Sequence, residues 1–173
     1  MLTFAPVTQT DVEQFARWRY EPPYNVYNEN PSEPLEADYL AYFLDPENNL
    51  YSIFDQAGEL VAYCSFGRDG QVPGGDYSAD ALDLGLGMRP DLTGQGRGIE
   101  FVRAMIDFAL EKFRPVALRV TIAKFNHRAQ RVWQKAGFQQ LSQFDRPSNG
   151  MPFLIFVHED ITFNDLTKRF SQS

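Results

Sequence analysis

Residues 88–99 read Met88-Arg89-Pro90-Asp91-Leu92-Thr93-Gly94-Gln95-Gly96-Arg97-Gly98-Ile99. Alternating glycines let a backbone turn tightly and bring its amide hydrogens close to a ligand. A helix start adds unsatisfied amides and the positive end of the helix dipole. Such a helix is expected over 98–113, where Ile99, Val102, Ile106, Ala109 and Phe113 recur at spacings of three and four. The order strand, glycine loop, helix makes a site for a phosphate or pyrophosphate. It is not a P-loop, because Gly98 is followed by Ile99-Glu100 and not by Lys and Ser or Thr. The dinucleotide fingerprint also fails, since Ile99 stands where its last glycine belongs. A flexible surface loop and a nucleotide-binding domain remain the alternatives for this segment taken alone.

The elements that position this loop can be read from pattern. Leu82, Leu84, Leu86 and Met88 alternate with Asp83, Gly85 and Gly87, the period of a strand. Before it, residues 2–7 form a short strand and Thr10-Asp11-Val12-Glu13 has the form of a capping box. The helix it opens is expected to run to about Tyr20, where Pro22 and Pro23 stop it. A second helix is placed at 35–44, a hairpin at 50–55 and 60–66, and a glycine-rich polar loop at 67–80. Gly85 and Gly87 suggest a β-bulge that splays the strand. Beyond the long helix come a strand at 117–122 and a helix capped by Asn126, with Gly137 at its C-terminal glycine position. An antiparallel pair at 138–144 and 151–157 follows, and the tail after Asp160 is polar. The expected class is α+β, with a mixed, mostly antiparallel sheet of about seven strands flanked by helices, in one domain over 1–173.

Composition narrows the partners. The net charge of −7 argues against a nucleic acid and weakly favours a neutral or cationic one. The single cysteine, Cys64, excludes a disulfide framework within the chain and fits a reducing compartment. No signal-peptide pattern opens the sequence, and no apolar run approaches the roughly 20 residues of a membrane helix. A cytoplasmic protein that binds neither nucleic acid nor membrane is expected, with homodimer formation left open.

A second block sharpens the reading. Asn126-x-x-Ala129-x-x-x-Trp133-x-Lys135-x-Gly137-Phe138 follows a strand and lies on a helix. Together, the two blocks resemble the cofactor-binding motifs of the GNAT N-acetyltransferases, Gln/Arg-x-x-Gly-x-Gly/Ala and Asn-x-x-Ala/Ser-x-x-x-Tyr-x-Lys-x-Gly-Phe. Thr93, Gly96 and Gly98 occupy the positions of the first. The resemblance implies acetyl-coenzyme A as acyl donor, no metal, and cofactor contacts from Met88, Arg89, Thr93, Gly94, Gln95, Gly96, Arg97, Gly98, Asn126, Ala129 and Trp133. Two departures stand out. Thr93 replaces Gln or Arg, leaving a hydroxyl without charge or reach. Trp133 replaces the tyrosine that often protonates the departing thiolate, and an indole cannot be a general acid at neutral pH. Trp133 is therefore expected to pack against pantetheine or core.

The implied reaction is attack of an amine on the thioester, through an intermediate with negative charge on oxygen. The resemblance assigns the backbone amide of Met88 to that oxygen. The amine must lose a proton; Asp83 on the glycine face of its strand is the first candidate base and Glu21 the second, with water sufficient on its own. The stretch Tyr20-Glu21-Pro22-Pro23-Tyr24-Asn25-Val26-Tyr27 corresponds to the wall of the acceptor pocket in the family. Tyr20, Tyr24 and Tyr27 are expected to flank an ammonium, with Glu21 as counter-charge. The acceptor, a small molecule or a peptide amine, is not readable. A coenzyme A-binding module without catalysis is the alternative, favoured by Thr93 and Trp133.

Overall fold

The structure is a computed structural model that describes residues 1–29, 31–32 and 34–159; the polar tail after Asp160 lies outside them. Among the described residues, seven strands form one sheet in the order β1-β2-β3-β4-β5-β7-β6, with four α-helices. The chain forms two compact units. One comprises Met1–Gly70 and Leu84–Gly98, the other Gln71–Asp83 and the described residues from Ile99 onward.

The first unit contains β1 (Thr3–Pro6), α1 (Gln9–Phe15), α2 (Ala37–Leu44), β2 (Leu50–Phe54), β3 (Leu60–Phe66) and most of β4 (Leu82–Met88). Its strands pair antiparallel in chain order. The capping box belongs to Thr8 and Asp11, not to Thr10 and Glu13. The Asp11 carboxylate accepts from the Thr8 amide at 2.9 Å and also from the buried Ser52 hydroxyl of β2 at 2.9 Å. That tertiary bond selects the earlier cap. α1 stops at Phe15, short of Tyr20, and the Arg19 guanidinium donates to the carbonyls of Ala16 and Trp18. Val12, Phe15 and Leu60 are buried under Trp18, Tyr39, Leu40 and Phe43, and Phe15 stacks on Tyr63 at 4.3 Å.

No bulge interrupts β4 against β3: the register runs evenly from Ala62↔Met88 to Phe66↔Leu84. The two glycines serve another purpose. A Cβ on Gly87 would come within 2.4 Å of the Tyr63 ring, and one on Gly85 within 2.4 Å of Ser65 Oγ. Their absence gives the β3 side chains space to lie over the strand.

The second unit contains α3 (Gly98–Phe113, from its second residue), β5 (Leu118–Ala123), α4 (His127–Lys135), β6 (Gln139–Asp145) and β7 (Pro152–His158). β7 pairs antiparallel with β5 and with β6. Asn126 caps α4 by accepting from the Ala129 amide at 3.1 Å, and Gly137 ends it at φ +101°. Trp133 is buried with its ring edge-on to Phe138 at 4.9 Å. Among the described residues, no helix is long and apolar enough to cross a membrane.

Burial leaves a signature at high pH. The Cys64 thiol and the phenols of Tyr20, Tyr39, Tyr42 and Tyr63 all lose protons less readily in the fold, chiefly because burial disfavours the charged form. Tyr20 is pushed up to about 12. The unfolded chain gives up these protons first, so stability is whole below about pH 9 and declines as pH rises toward the folded values. The urea midpoint is expected to fall between about pH 9 and pH 11. A midpoint flat across that window would show the groups ionising as easily in the fold.

Candidate active site

The end of β4 is closely constrained. The Arg89 amide donates to the Val61 carbonyl at 2.9 Å, so it faces β3. Peptide groups alternate along a strand, so the N–H and C=O of Met88 face away from β3. The Met88 carbonyl accepts the Tyr20 hydroxyl at 2.7 Å. The Met88 N–H points to the same side, away from β3.

The loop that follows makes one 3-10 turn at Pro90–Leu92 and then runs to Gly98. Gly94 and Gly96 adopt φ of +74° and +76°, conformations that favour glycine. A Cβ on Gly96 would meet nothing within 4 Å, so the surface there is open. The polar side chains are largely committed to the loop itself. The Thr93 hydroxyl donates to the Pro90 carbonyl at 2.8 Å, so its one hydrogen is not available to a phosphate. Arg89 forks onto Asp91 at 2.8 and 3.2 Å and also donates to the Leu60 carbonyl, and this pairing raises its pKa further. Gln95 Nε2 donates to the Asp91 carbonyl at 2.5 Å. Arg97 is half-buried.

On the acceptor side of the first unit, the expected tyrosines separate. Tyr20 is half-buried and its hydroxyl is turned onto the Met88 carbonyl. Tyr24 and Tyr27 lie in a 3-10 turn, with Tyr27 exposed and Tyr24 half-buried. Glu21 is exposed. Sequence reasoning missed two acid–phenol pairs further along, in which Tyr39 donates to Glu29 and Tyr42 to Asp69. A recess of about 220 Å³ is lined by Glu29, Pro31, Ser32, Glu36 and Tyr39. Its signal in the sequence was the density of acids between 29 and 38, without any fixed spacing.

In the second unit, Asp83 is corrected. It is only 2% exposed and forms a bidentate pair with the buried Arg119, whose Nε and Nη2 lie 2.6 and 2.8 Å from its oxygens. Gln71 Nε2 donates to the same carboxylate at 2.8 Å. Three donors hold it as a counter-ion, which does not fit a base that collects a proton from substrate. Asn126 spends its side-chain oxygen on the helix cap, Ala129 is half-buried, and Trp133 is core. Among the described residues, no group of three or more His, Cys, Asp or Glu is placed to hold a metal.

The described residues thus form a seven-stranded, mostly antiparallel sheet with four helices and a glycine loop leaving β4. The family profile for an acetyltransferase (GNAT) domain matches residues 1–139, and the chain belongs to that family. Among solved structures, the aminoglycoside acetyltransferase AAC(6')-Ib in complex with coenzyme A is 19% identical, with a TM-score of 0.70 over 99% of this chain and all of that one. A putative phosphinothricin N-acetyltransferase is 17% identical, with a TM-score of 0.66 over 94% of this chain and 100% of its own. A spermidine N-acetyltransferase chimera from Vibrio cholerae and hSSAT is 13% identical, with a TM-score of 0.70 over 99% of both chains. No curated protein sequence matches the chain.

Proposed function

We propose that this acyltransferase moves an acetyl group from acetyl-coenzyme A to the primary amine of a small cationic acceptor, by direct attack in a ternary complex. The observation that carries the reading is the loop leaving β4, with Gly94 and Gly96 at positive φ and an open surface beside Gly96. These backbone amides fit a pyrophosphate, and the Met88 amide fits the thioester carbonyl oxygen. The donor supplies an activated thioester. The chain aligns that carbonyl, stabilises its oxyanion through Met88 N–H, and orients the amine. A C–N bond forms as the C–S bond breaks, the thiolate leaves, and the amine's proton passes to water or Glu21. With Asp83 held in its ion pair and Trp133 in the core, solvent protonates the thiolate.

Acids on the first unit support a cationic acceptor. Glu21, Glu29, Glu36 and Asp69 are all exposed, and fold relatives carry aminoglycoside and spermidine acetyltransferase names. Thiol release from acetyl-coenzyme A across a panel of polyamines, aminoglycosides, amino acids and peptides tests the proposal. Turnover confined to neutral amines, or none at all, rejects it.

Glu21→Gln removes one charge and keeps the shape. A charge-assisted contact is worth about 1.5–3 kcal/mol, and exposure places this one at the low end. The acceptor KM should rise about tenfold while the acetyl-coenzyme A KM stays put. An unchanged acceptor KM in steady-state assays would place Glu21 outside the pocket.

A further inference from the structure

Tyr20 stands where an acceptor-binding ring was expected, yet its hydroxyl is used elsewhere. It donates at 2.7 Å to the carbonyl of Met88, 68 positions along the chain. That carbonyl belongs to the Met88–Arg89 peptide, whose other end donates from Arg89 N to Val61 O at 2.9 Å. A peptide group is planar. Anchoring its oxygen to Tyr20 and its hydrogen to Val61 fixes the orientation of the whole plane. Met88's own N–H lies on the Tyr20 side of the strand, so the hinge between that donor and the pinned plane is a single α-carbon.

Tyr20 is itself held. Its amide donates to Asn28 Oδ1 at 2.7 Å, and its carbonyl accepts from Asn28 Nδ2 at 3.1 Å. The Asn28 side chain thus pairs with Tyr20 as a neighbouring strand would and closes residues 20–28 into a ring. Within the ring, the Tyr24 amide donates to the Glu21 carbonyl at 2.9 Å. The closed loop reaches the end of β4 through the Tyr20 phenol. Because burial keeps that phenol protonated up to about 12, the donor persists throughout the working pH range.

We infer that Tyr20 is a positioning residue: through its hydroxyl on the Met88 carbonyl, the loop that walls the acceptor side holds the Met88 amide in line for the oxyanion. The inference rests on the role proposed for Met88, and it makes the loop a determinant of the chemical step and not only of acceptor binding. A misplacement of about 1 Å in a catalytic group can cost about a hundredfold, and loss of an oxyanion donor about a hundredfold to a thousandfold.

The test is Tyr20→Phe, which deletes one oxygen. The kcat for amine acetylation should fall about tenfold to a hundredfold, because the amide is loosened but not removed. The KM for acetyl-coenzyme A should stay within about twofold, since the amides of the glycine loop are untouched. A readout independent of turnover comes from [1-13C]methionine. The chain has four methionines, and the Met88 carbonyl resonance, assigned by its loss in Met88→Leu, should shift in Tyr20→Phe. Asn28→Ala keeps the hydroxyl but opens the ring, and should lower kcat in the same direction. It also serves if Tyr20→Phe does not fold. A folded Tyr20→Phe with wild-type kcat overturns the inference, whether or not its melting temperature falls, and so does a loss borne equally by the acetyl-coenzyme A KM. If the wild-type protein turns over an amine and only these variants contradict expectation, the positioning role fails alone. A wild-type protein that acetylates no amine overturns both.

Discussion

Gly96→Glu is expected to weaken acetyl-coenzyme A binding by at least about a hundredfold, roughly 2.7 kcal/mol, while leaving the fold intact. Two effects combine. The residue sits at φ +76°, where a side chain costs about 1–2 kcal/mol. The larger effect is the carboxylate set among amides that are proposed to hold a pyrophosphate, where like charges repel in a partly dehydrated site. Apart from its chain neighbours, no atom of the described residues lies within 4 Å of the new Cβ, so the substitution meets no other residue at its base. Gly150 supplies the control, because it also has positive φ, +68°, and an open Cβ position. It lies in the turn between β6 and β7, so Gly150→Glu carries the same backbone strain without the charge in the loop. Calorimetric titration with acetyl-coenzyme A should show binding lost in the first variant and kept in the second. Equal binding by both would remove the pyrophosphate from this loop.

Arg119→Ala is expected to produce the largest loss of stability, about 3–5 kcal/mol. Arg119 is 3% exposed and its guanidinium makes three bonds. Two go to Asp83, and Nη1 donates to the Ala79 carbonyl at 3.0 Å. Its flat face lies over the Tyr77 ring at 4.9 Å, and the Tyr77 hydroxyl pairs with Thr121 Oγ1 at 2.9 Å. Deleting the arginine strands a buried carboxylate, which accounts for most of the cost. Replacing both partners by apolar residues, Arg119→Met with Asp83→Leu, should recover much of the loss, because no charge is then left unpaired. Chemical denaturation of the single and the double variant would measure both steps. A single-variant loss below about 1 kcal/mol would mean that water reaches the pair freely. Since Asp83 is not placed among the acetylating groups, variants that stay folded should retain turnover.

The contrast between those two sites shows where the sequence was legible. The glycine loop at residues 94–98 was legible directly, because only glycine adopts positive φ at little cost and both Gly94 and Gly96 take it. α3 was expected at 98–113 and is found at Gly98–Phe113, since its apolar residues keep one period and Pro115 follows closely. β4 was likewise legible from strict alternation. Asp83 was misread because its partner lies 36 positions away, in a strand whose other residues gave no hint of a buried charge. The cap of α1 was misplaced by two residues because Thr8 with Asp11 and Thr10 with Glu13 both satisfy the local pattern. A hydrogen bond from Ser52 decides between them.

By itself, the sequence determined the order of the elements, the place of the glycine loop, and the capping and terminal glycine of α4. All of these depend on interactions within a few residues, where spacing is geometry. Tertiary structure decided what the polar side chains do. It committed Thr93 and Arg89 to nearby carbonyls and acids, paired Tyr39 with Glu29 and Tyr42 with Asp69, and bonded the Tyr20 hydroxyl to the Met88 carbonyl. A side chain's nearest partner across space is set by packing of elements far apart in the chain. Once a buried or half-buried polar group has found such a partner, its hydrogen-bonding capacity is no longer free for a ligand.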